Sequence, residues 1–187
     1  MTAEALQSPN HRHWITHLWI TKLSPHWNLL LSLFVLLVLA NGAPLVLALV
    51  SGRVVGRPLD GGMVLRDGYP LFGKSKTWRG LIAALVVTPP AAWSLGLGWG
   101  VGLAIALGAM AGDLIVSFIK RRMGLPSSAS VPFLDHVPET LIPVLLVEGA
   151  LGLDWLDLGV LVLGFVVLDL LLTPLLKRLS AVLARKA

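Results

Sequence analysis

Asp113 stands inside an apolar run from about Gly98 to Ile119, some six residues from its end. A carboxylate within such a run is costly and marks a functional site by default. At 100° per residue, Asp113, Ser117, Lys120 and Arg121 fall along one helical stripe. The stripe sets an acid, a hydroxyl and two cations in order. Two readings stand: a site for an anionic substrate, or an acid paired with a nearby cation above a basic triplet, Lys120-Arg121-Arg122, that only anchors the helix end. A second acid, Asp135, follows 22 residues later in Leu134-Asp-His-Val-Pro-Glu139. Two carboxylates facing phosphates suggest Mg²⁺, a hard ion that takes carboxylates together with substrate phosphates. Alternatively, Asp135 or Glu139 caps the next helix.

The segment before the second apolar run carries the partner chemistry. Gly68 to Ser75 spells G-x4-G-K-S, the pattern of a phosphate-binding P-loop. The P-loop fold is excluded, because it needs a parallel sheet behind the loop and the loop has Pro70 within it. The ingredients remain: glycine amides, Lys74, Ser75, Lys76 and Thr77 ahead of a helix N-terminus, where anions are favoured. A polyphosphate fits here, and so does the headgroup layer of an anionic lipid; the glycines, which allow close backbone approach, favour the phosphate. Asn41-Gly-Ala-Pro44 interrupts the first apolar run. It is either a proline kink packed by Gly42 or a helix break lining a polar cavity, where such breaks are tolerated. His136 reads as a surface or hydrogen-bonding residue. No Ser-His-Asp set or covalent-nucleophile pattern occurs. With no cysteine, disulfides, Fe–S clusters and thiol chemistry are excluded.

The elements that must position these residues follow from composition. Of 187 residues, 56% are hydrophobic and 13% charged, about half the charge of a soluble domain, and the mean hydropathy is +0.81. This excludes a soluble enzyme and a disordered chain. The fold class is an all-α integral membrane protein, a five-helix transmembrane bundle with two cytoplasmic loops. The spans run from about Trp27 to Val50, Gly80 to Leu97, Gly98 to Ile119, Leu141 to Leu153 and Leu156 to Leu176. Tight turns join the second to the third and the fourth to the fifth, whereas residues 51–79 and 120–138 form loops. Of the 15 basic residues, 13 lie in these two loops and the tail, and only Arg12 and Lys22 lie on the other side. The positive-inside rule then sets the N-terminus outside and the C-terminus in the cytoplasm. The chain divides into an outer segment 1–25, a membrane domain 26–176 and a basic tail 177–187, in a multi-pass protein of the cell (inner) membrane. A cleaved signal peptide is the rival reading of the N-terminus, but the basic excess follows the apolar run instead of preceding it.

Together these motifs resemble the CDP-archaeol synthase family, relatives of the CTP:phosphatidate cytidylyltransferases. The resemblance rests on Asn41-Gly-Ala-Pro44, Arg57-Pro-Leu-Asp-Gly-Gly62, Arg66 through Gly80, Gly112 through Gly124 and Leu134-Asp-His136. It implies a five-helix membrane enzyme that joins CTP to a lipid phosphate, giving a CDP-lipid and pyrophosphate. It further implies that Asp113 and Asp135 are the catalytic, Mg²⁺-associated acids. The substrates would be contacted by Asn41, Pro44, Asp60, Gly61, Asp67, Gly73, Lys74, Ser75, Lys76, Thr77, Arg79, Ser117, Lys120 and Arg121. One departure stands out. The family pattern has a further Asp three residues after the position of Asp135, where this chain has Pro138, followed by Glu139. The bilayer is an expected partner and nucleic acid is not. The competing class is a non-enzymatic membrane protein, an anion transporter or a lipid-binding scaffold. A transporter should carry its polar residues near the bilayer midplane; here they gather at one edge.

Overall fold

The computed structural model describes residues 26–51, 56–126, 129 and 131–184; at 49, 132, 133, 169 and 172–184 only the backbone is described. The expectations for residues 1–25, for Arg53 and for Arg185 and Lys186 lie outside these residues, as do the side chains of Asp169, Lys177 and Arg178.

The described residues form five helices: α1 (Trp27–Val50), α2 (Trp78–Ser94), α3 (Trp99–Arg122), α4 (Pro132–Leu151) and α5 (Trp155–Ala184). Among the described residues, β-structure is limited to two isolated bridges, Pro58 with Thr77 and Val64 with Pro70. Two segments among the described residues are both long and apolar enough to cross a membrane: Trp27–Ala48, with mean hydropathy 2.4, and Trp99–Arg122, with 2.0.

Short turns at residues 95–98 and 152–154 join α2 to α3 and α4 to α5 at one end of the bundle. The start of α1 is fastened to that same end. The Asp157 carboxylate, fully buried in the first turn of α5, accepts from the His26 backbone amide at 3.1 Å and pairs with His26 Nδ1 at 2.8 Å. That hydrogen bond and the carboxylate's charge raise the His26 pKa above its ordinary 6.5. Above this latch lies the apolar core. Leu33, Leu36, Leu37 and Ala40 of α1 meet Ile105 and Ala109 of α3, Val144 of α4, and Leu161 and Phe165 of α5. Phe34 stands edge-on to Phe165, their ring centroids 6.4 Å apart.

α3 is the central bar, and its glycines set how closely its neighbours approach. A Cβ at Gly102 would fall 2.5 Å from Pro89 Cα, one at Gly108 2.6 Å from Pro143 Cα, and one at Gly112 2.5 Å from the Pro138 carbonyl oxygen. Gly108 and Gly112, four apart, therefore let the α4 backbone lie directly on α3, the small-residue packing on which apolar helices rely where lipid removes the hydrophobic drive.

Two expectations shift. α4 starts at Pro132, not near Leu141, so Asp135, His136 and Glu139 sit on a helix and the second loop is correspondingly shorter. Pro132 suits the first turn, where the missing N–H has no helical partner. Pro138 lies inside α4, and its carbonyl rests against Gly112 of α3. The Asn41–Pro44 segment does not break α1, which runs through Pro44 as one helix. Asn41 Nδ2 donates to the Leu37 carbonyl at 3.0 Å. The kink is not packed by Gly42, where a Cβ would meet nothing within 4 Å; instead Pro44 packs on Gly80 of α2, where a Cβ would fall 3.2 Å from Pro44 Cβ.

Candidate functional site

At the end of the bundle opposite the latch, a cavity of about 520 Å³ opens between α1, α2, α3 and the start of α4, within the usual range of about 300–1,000 Å³ for small-molecule sites. Its lining is of two kinds. The polar part is Lys74, Ser75, Lys76, Thr77 and Arg79 ahead of and at the start of α2, with Asp113 and Glu139. The apolar part includes Leu45, Leu47 and Ala48 of α1, Leu81 of α2, and Met110 and Leu114 of α3. Asn41 and Pro44 also line the cavity.

The Gly112–Pro138 contact places the acids. Asp113 follows Gly112 directly and Glu139 follows Pro138 directly, so backbone touching backbone brings the two carboxyls near each other at the cavity. Adjacent carboxylates attract a cation, and Lys76 supplies it here, its ammonium donating to both oxygens of Asp113. The donors toward a metal are carboxyls and hydroxyls, a hard oxygen set that suits Mg²⁺ completed by substrate phosphates. Among the described residues no group of three or more His, Cys, Asp or Glu side chains converges as a self-sufficient metal cage.

The cationic segment is held in place by its own loop. Asp60 is the staple: Oδ1 accepts from Gly62 N at 2.9 Å, and Oδ2 accepts from Phe72 N at 2.9 Å and Gly73 N at 3.0 Å. Burial pushes the Asp60 carboxyl up, but these amides outweigh it and hold it below the ordinary carboxylate value. Gly73 is buried with φ +94°, a left-handed geometry open to glycine. Next, residues 57–59 run antiparallel to 76–78: Leu59 N donates to the Lys76 carbonyl at 2.8 Å and Trp78 N to the Arg57 carbonyl at 3.1 Å. Thr77 caps α2, its Oγ1 accepting from Gly80 N at 3.3 Å. The Arg79 guanidinium reaches Ser51 Oγ across the loop mouth.

The other expected site residues fall elsewhere. Asp135 is one turn before Glu139 and pairs with Lys120 at 2.9 Å, while its Oδ2 accepts from Val131 N. Lys120 also donates to the Ala129 carbonyl at 3.0 Å. Arg121 is buried and donates to the Leu125 carbonyl, and Ser117 is buried one turn beyond Asp113. None of these four lines the cavity. Gly61 is an exposed turn residue, and Asp67 pairs with Arg122 on the loop's outer side. Sequence reasoning did not reach the apolar lining, and it read Arg122 only as part of a basic triplet anchoring the helix end. Glu139 was read as a helix cap or as the acid beside an unexpected proline.

This arrangement has known counterparts. The family model for CarS-like CDP-archaeol synthases matches residues 93–187. The CDP-archaeol synthase of Pyrococcus furiosus is 41% identical over 107 residues, 52% of this chain and 60% of that protein. That of Aeropyrum pernix is 40% identical over 123 residues, 63% of this chain and 67% of that protein. That of Methanopyrus kandleri is 39% identical over 127 residues, 63% and 70% respectively. The chain thus spans about 60% of the length of the Pyrococcus relative. A solved structure of an intramembrane enzyme for archaeal membrane lipid biosynthesis superposes with TM-score 0.64 at 32% identity, covering 76% of this chain and 90% of that one. With its apolar helices, this places the chain in a membrane. By sequence and fold alike, the chain belongs to the CarS-like CDP-archaeol synthase family.

Proposed function

We propose that the protein is a CTP:lipid-phosphate cytidylyltransferase, which forms a CDP-lipid and pyrophosphate for phospholipid synthesis. The observation that carries this reading is the mixed lining of the cavity: cations and carboxyls together with Leu, Ala and Met side chains. Such a cavity suits a reaction between a polyphosphate from water and a phosphate on an apolar tail. A phosphate oxygen of the lipid attacks the α-phosphorus of CTP, the bond to the β-phosphate breaks, and pyrophosphate leaves. The lipid phosphate is already anionic, so positioning and charge neutralisation are the main demands, and no strong base is needed. Lys74, Lys76 and Arg79 would face the phosphates beside the N-terminus of α2, with Lys76 paired to Asp113. Asp113 and Glu139 would hold Mg²⁺, with Asp135 kept one turn away by Lys120. When bound, Mg²⁺ neutralises phosphate charge and polarises the α-phosphorus.

The same reading includes five spans, with the cavity end in the cytoplasm and the latch end outside, in a multi-pass protein of the cell membrane. Its support is the surface. Trp27, Trp93, Trp99 and Trp155 are all exposed at the latch end, and Trp93 stacks on Trp99, as aromatic residues do at a membrane–water boundary. Between the ends, Leu31, Val35, Val86, Leu107, Leu146 and Leu163 face outward. An anion transporter would need its polar groups at mid-depth, whereas here they lie at one end. The test is purified protein with radiolabelled CTP, Mg²⁺ and lipid phosphates of ether and diacyl type. Label in the organic phase is expected; none with any lipid, beside a working control, sinks the proposal.

A further inference from the structure

Arg122 closes α3, the last of three consecutive basic residues, and it faces neither the cavity nor solvent alone. Its guanidinium pairs with Asp67 and donates to the carbonyls of Tyr69 at 3.3 Å and Pro70 at 2.6 Å. It also lies 5.2 Å from the centroid of the Phe118 ring one turn back. All three oxygens belong to one small hairpin. Leu65 N donates to the Tyr69 carbonyl and Leu71 N to the Met63 carbonyl, each at 2.9 Å, while Asp67 accepts from Tyr69 N. Beside Arg122, Gly124 takes φ +70° and lets the Tyr69 ring approach; a Cβ there would fall 3.1 Å from the phenol oxygen. The base of the hairpin is the Asp60 staple, and the residue after Gly73 is Lys74, where the cationic segment begins.

α3 therefore bears on the cationic segment at two points: directly through Asp113, which takes Lys76, and indirectly through Arg122, nine residues or ~13 Å further along the axis, which holds the hairpin leading into that segment. We propose that Arg122 is a positioning residue for nucleotide binding: by clamping the 63–71 hairpin onto α3 it fixes the distance between Lys74–Lys76 and Asp113. A single guanidinium suits the task because its planar fork serves a carboxylate and two carbonyls at once. This role rests on the cytidylyltransferase reading, but the clamp itself does not.

The experiment compares Arg122→Met and Arg122→Lys with the parent protein in detergent, by amide hydrogen exchange and by steady-state kinetics at saturating lipid phosphate. The clamp predicts faster exchange confined to residues 63–77 in both variants. It also predicts a KM for CTP raised about tenfold, the scale of a lost charge-assisted hydrogen bond, with kcat changed by less than about threefold. Lysine keeps the charge but not the fork, so full rescue by Arg122→Lys would reduce the role to bulk electrostatics and overturn the proposal. Unchanged exchange over 63–77, or an unchanged KM, overturns it as well. If the parent protein does not consume CTP, the cytidylyltransferase reading falls, while the exchange data still decide the clamp. Should Arg122→Met fail to fold, Arg122→Lys carries both measurements.

Discussion

The two ends of the bundle use the same helices for opposite purposes. At the latch end, Leu33, Leu36 and Leu37 are fully buried in one cluster with Leu161 and Ile105, and a polar device, His26 with Asp157, ties the start of α1 to α5. At the cavity end the same α1 presents Asn41, Pro44 and Leu45 to open space, and the neighbours are held by Lys76–Asp113, Lys120–Asp135 and Arg122–Asp67. Close packing leaves no room for a substrate. Ion pairs and hydrogen-bonded loops hold positions while keeping a volume open. The lesson is that the polar groups at the cavity end do structural work until a ligand arrives, whereas the apolar end does nothing else.

This contrast can be broken in order of expected effect. Asp113→Asn removes the charge that faces Lys76 and Glu139, and we expect kcat/KM to fall about a hundredfold or more with the fold retained; labelled CDP-lipid formation measures it, and a full rate would refute the residue's role. Gly112→Ala drives a methyl to 2.5 Å from the Pro138 carbonyl. It should cost about 1–3 kcal/mol through overpacking and lower activity beyond the loss of folded protein. Gly149→Ala, with nothing within 4 Å of its Cβ, is the neutral control, and equal thermal midpoints for the two would dismiss the α3–α4 seam. Leu37→Ala at the other end should be the reverse case: a loss of about 2–5 kcal/mol from the cavity left behind, with turnover per folded molecule unchanged. A large fall in kcat there would mean that the two ends are not separable.

The smallest effect is in pH. Because pairing raises the His26 pKa above 6.5, the latch contributes fully below about pH 6.5 and fades as pH rises through the raised value. Scanned from about pH 6 to about pH 9, the thermal midpoint should fall more steeply in the parent protein than in His26→Gln. Parallel curves would show that the latch does not titrate there.

Much of this was legible because membranes punish ambiguity. An apolar run with no charge has few alternatives to a spanning helix, and α1 has the limits its sequence predicts. Asp113 announced itself by being charged in such a run. The start of α4 was hidden for the converse reason: Asp135, His136 and Glu139 among three prolines lower the hydropathy to that of a loop, although the backbone there is helical. Pairings were beyond reach. That Asp113 takes a cation was one of two open readings, but that the cation is Lys76, 37 residues earlier, depends on where the Asp60 staple sets the loop. Lys120 and Arg121 sit on the same stripe as Asp113, yet neighbouring carbonyls and Asp135 hold them away from the cavity. Stripe geometry gives direction along one helix and says nothing of what a second helix offers.

The contact of Gly112 with Pro138 has a consequence for how this site can change over time. The spacing of its two acids is set where one main chain rests on another, so it has a mechanical stop instead of an adjustable screw. Side chains of the apolar lining can be exchanged to admit a longer, shorter or more branched tail without moving that stop. The tail-binding side is free to drift while the phosphate-handling side stays in register.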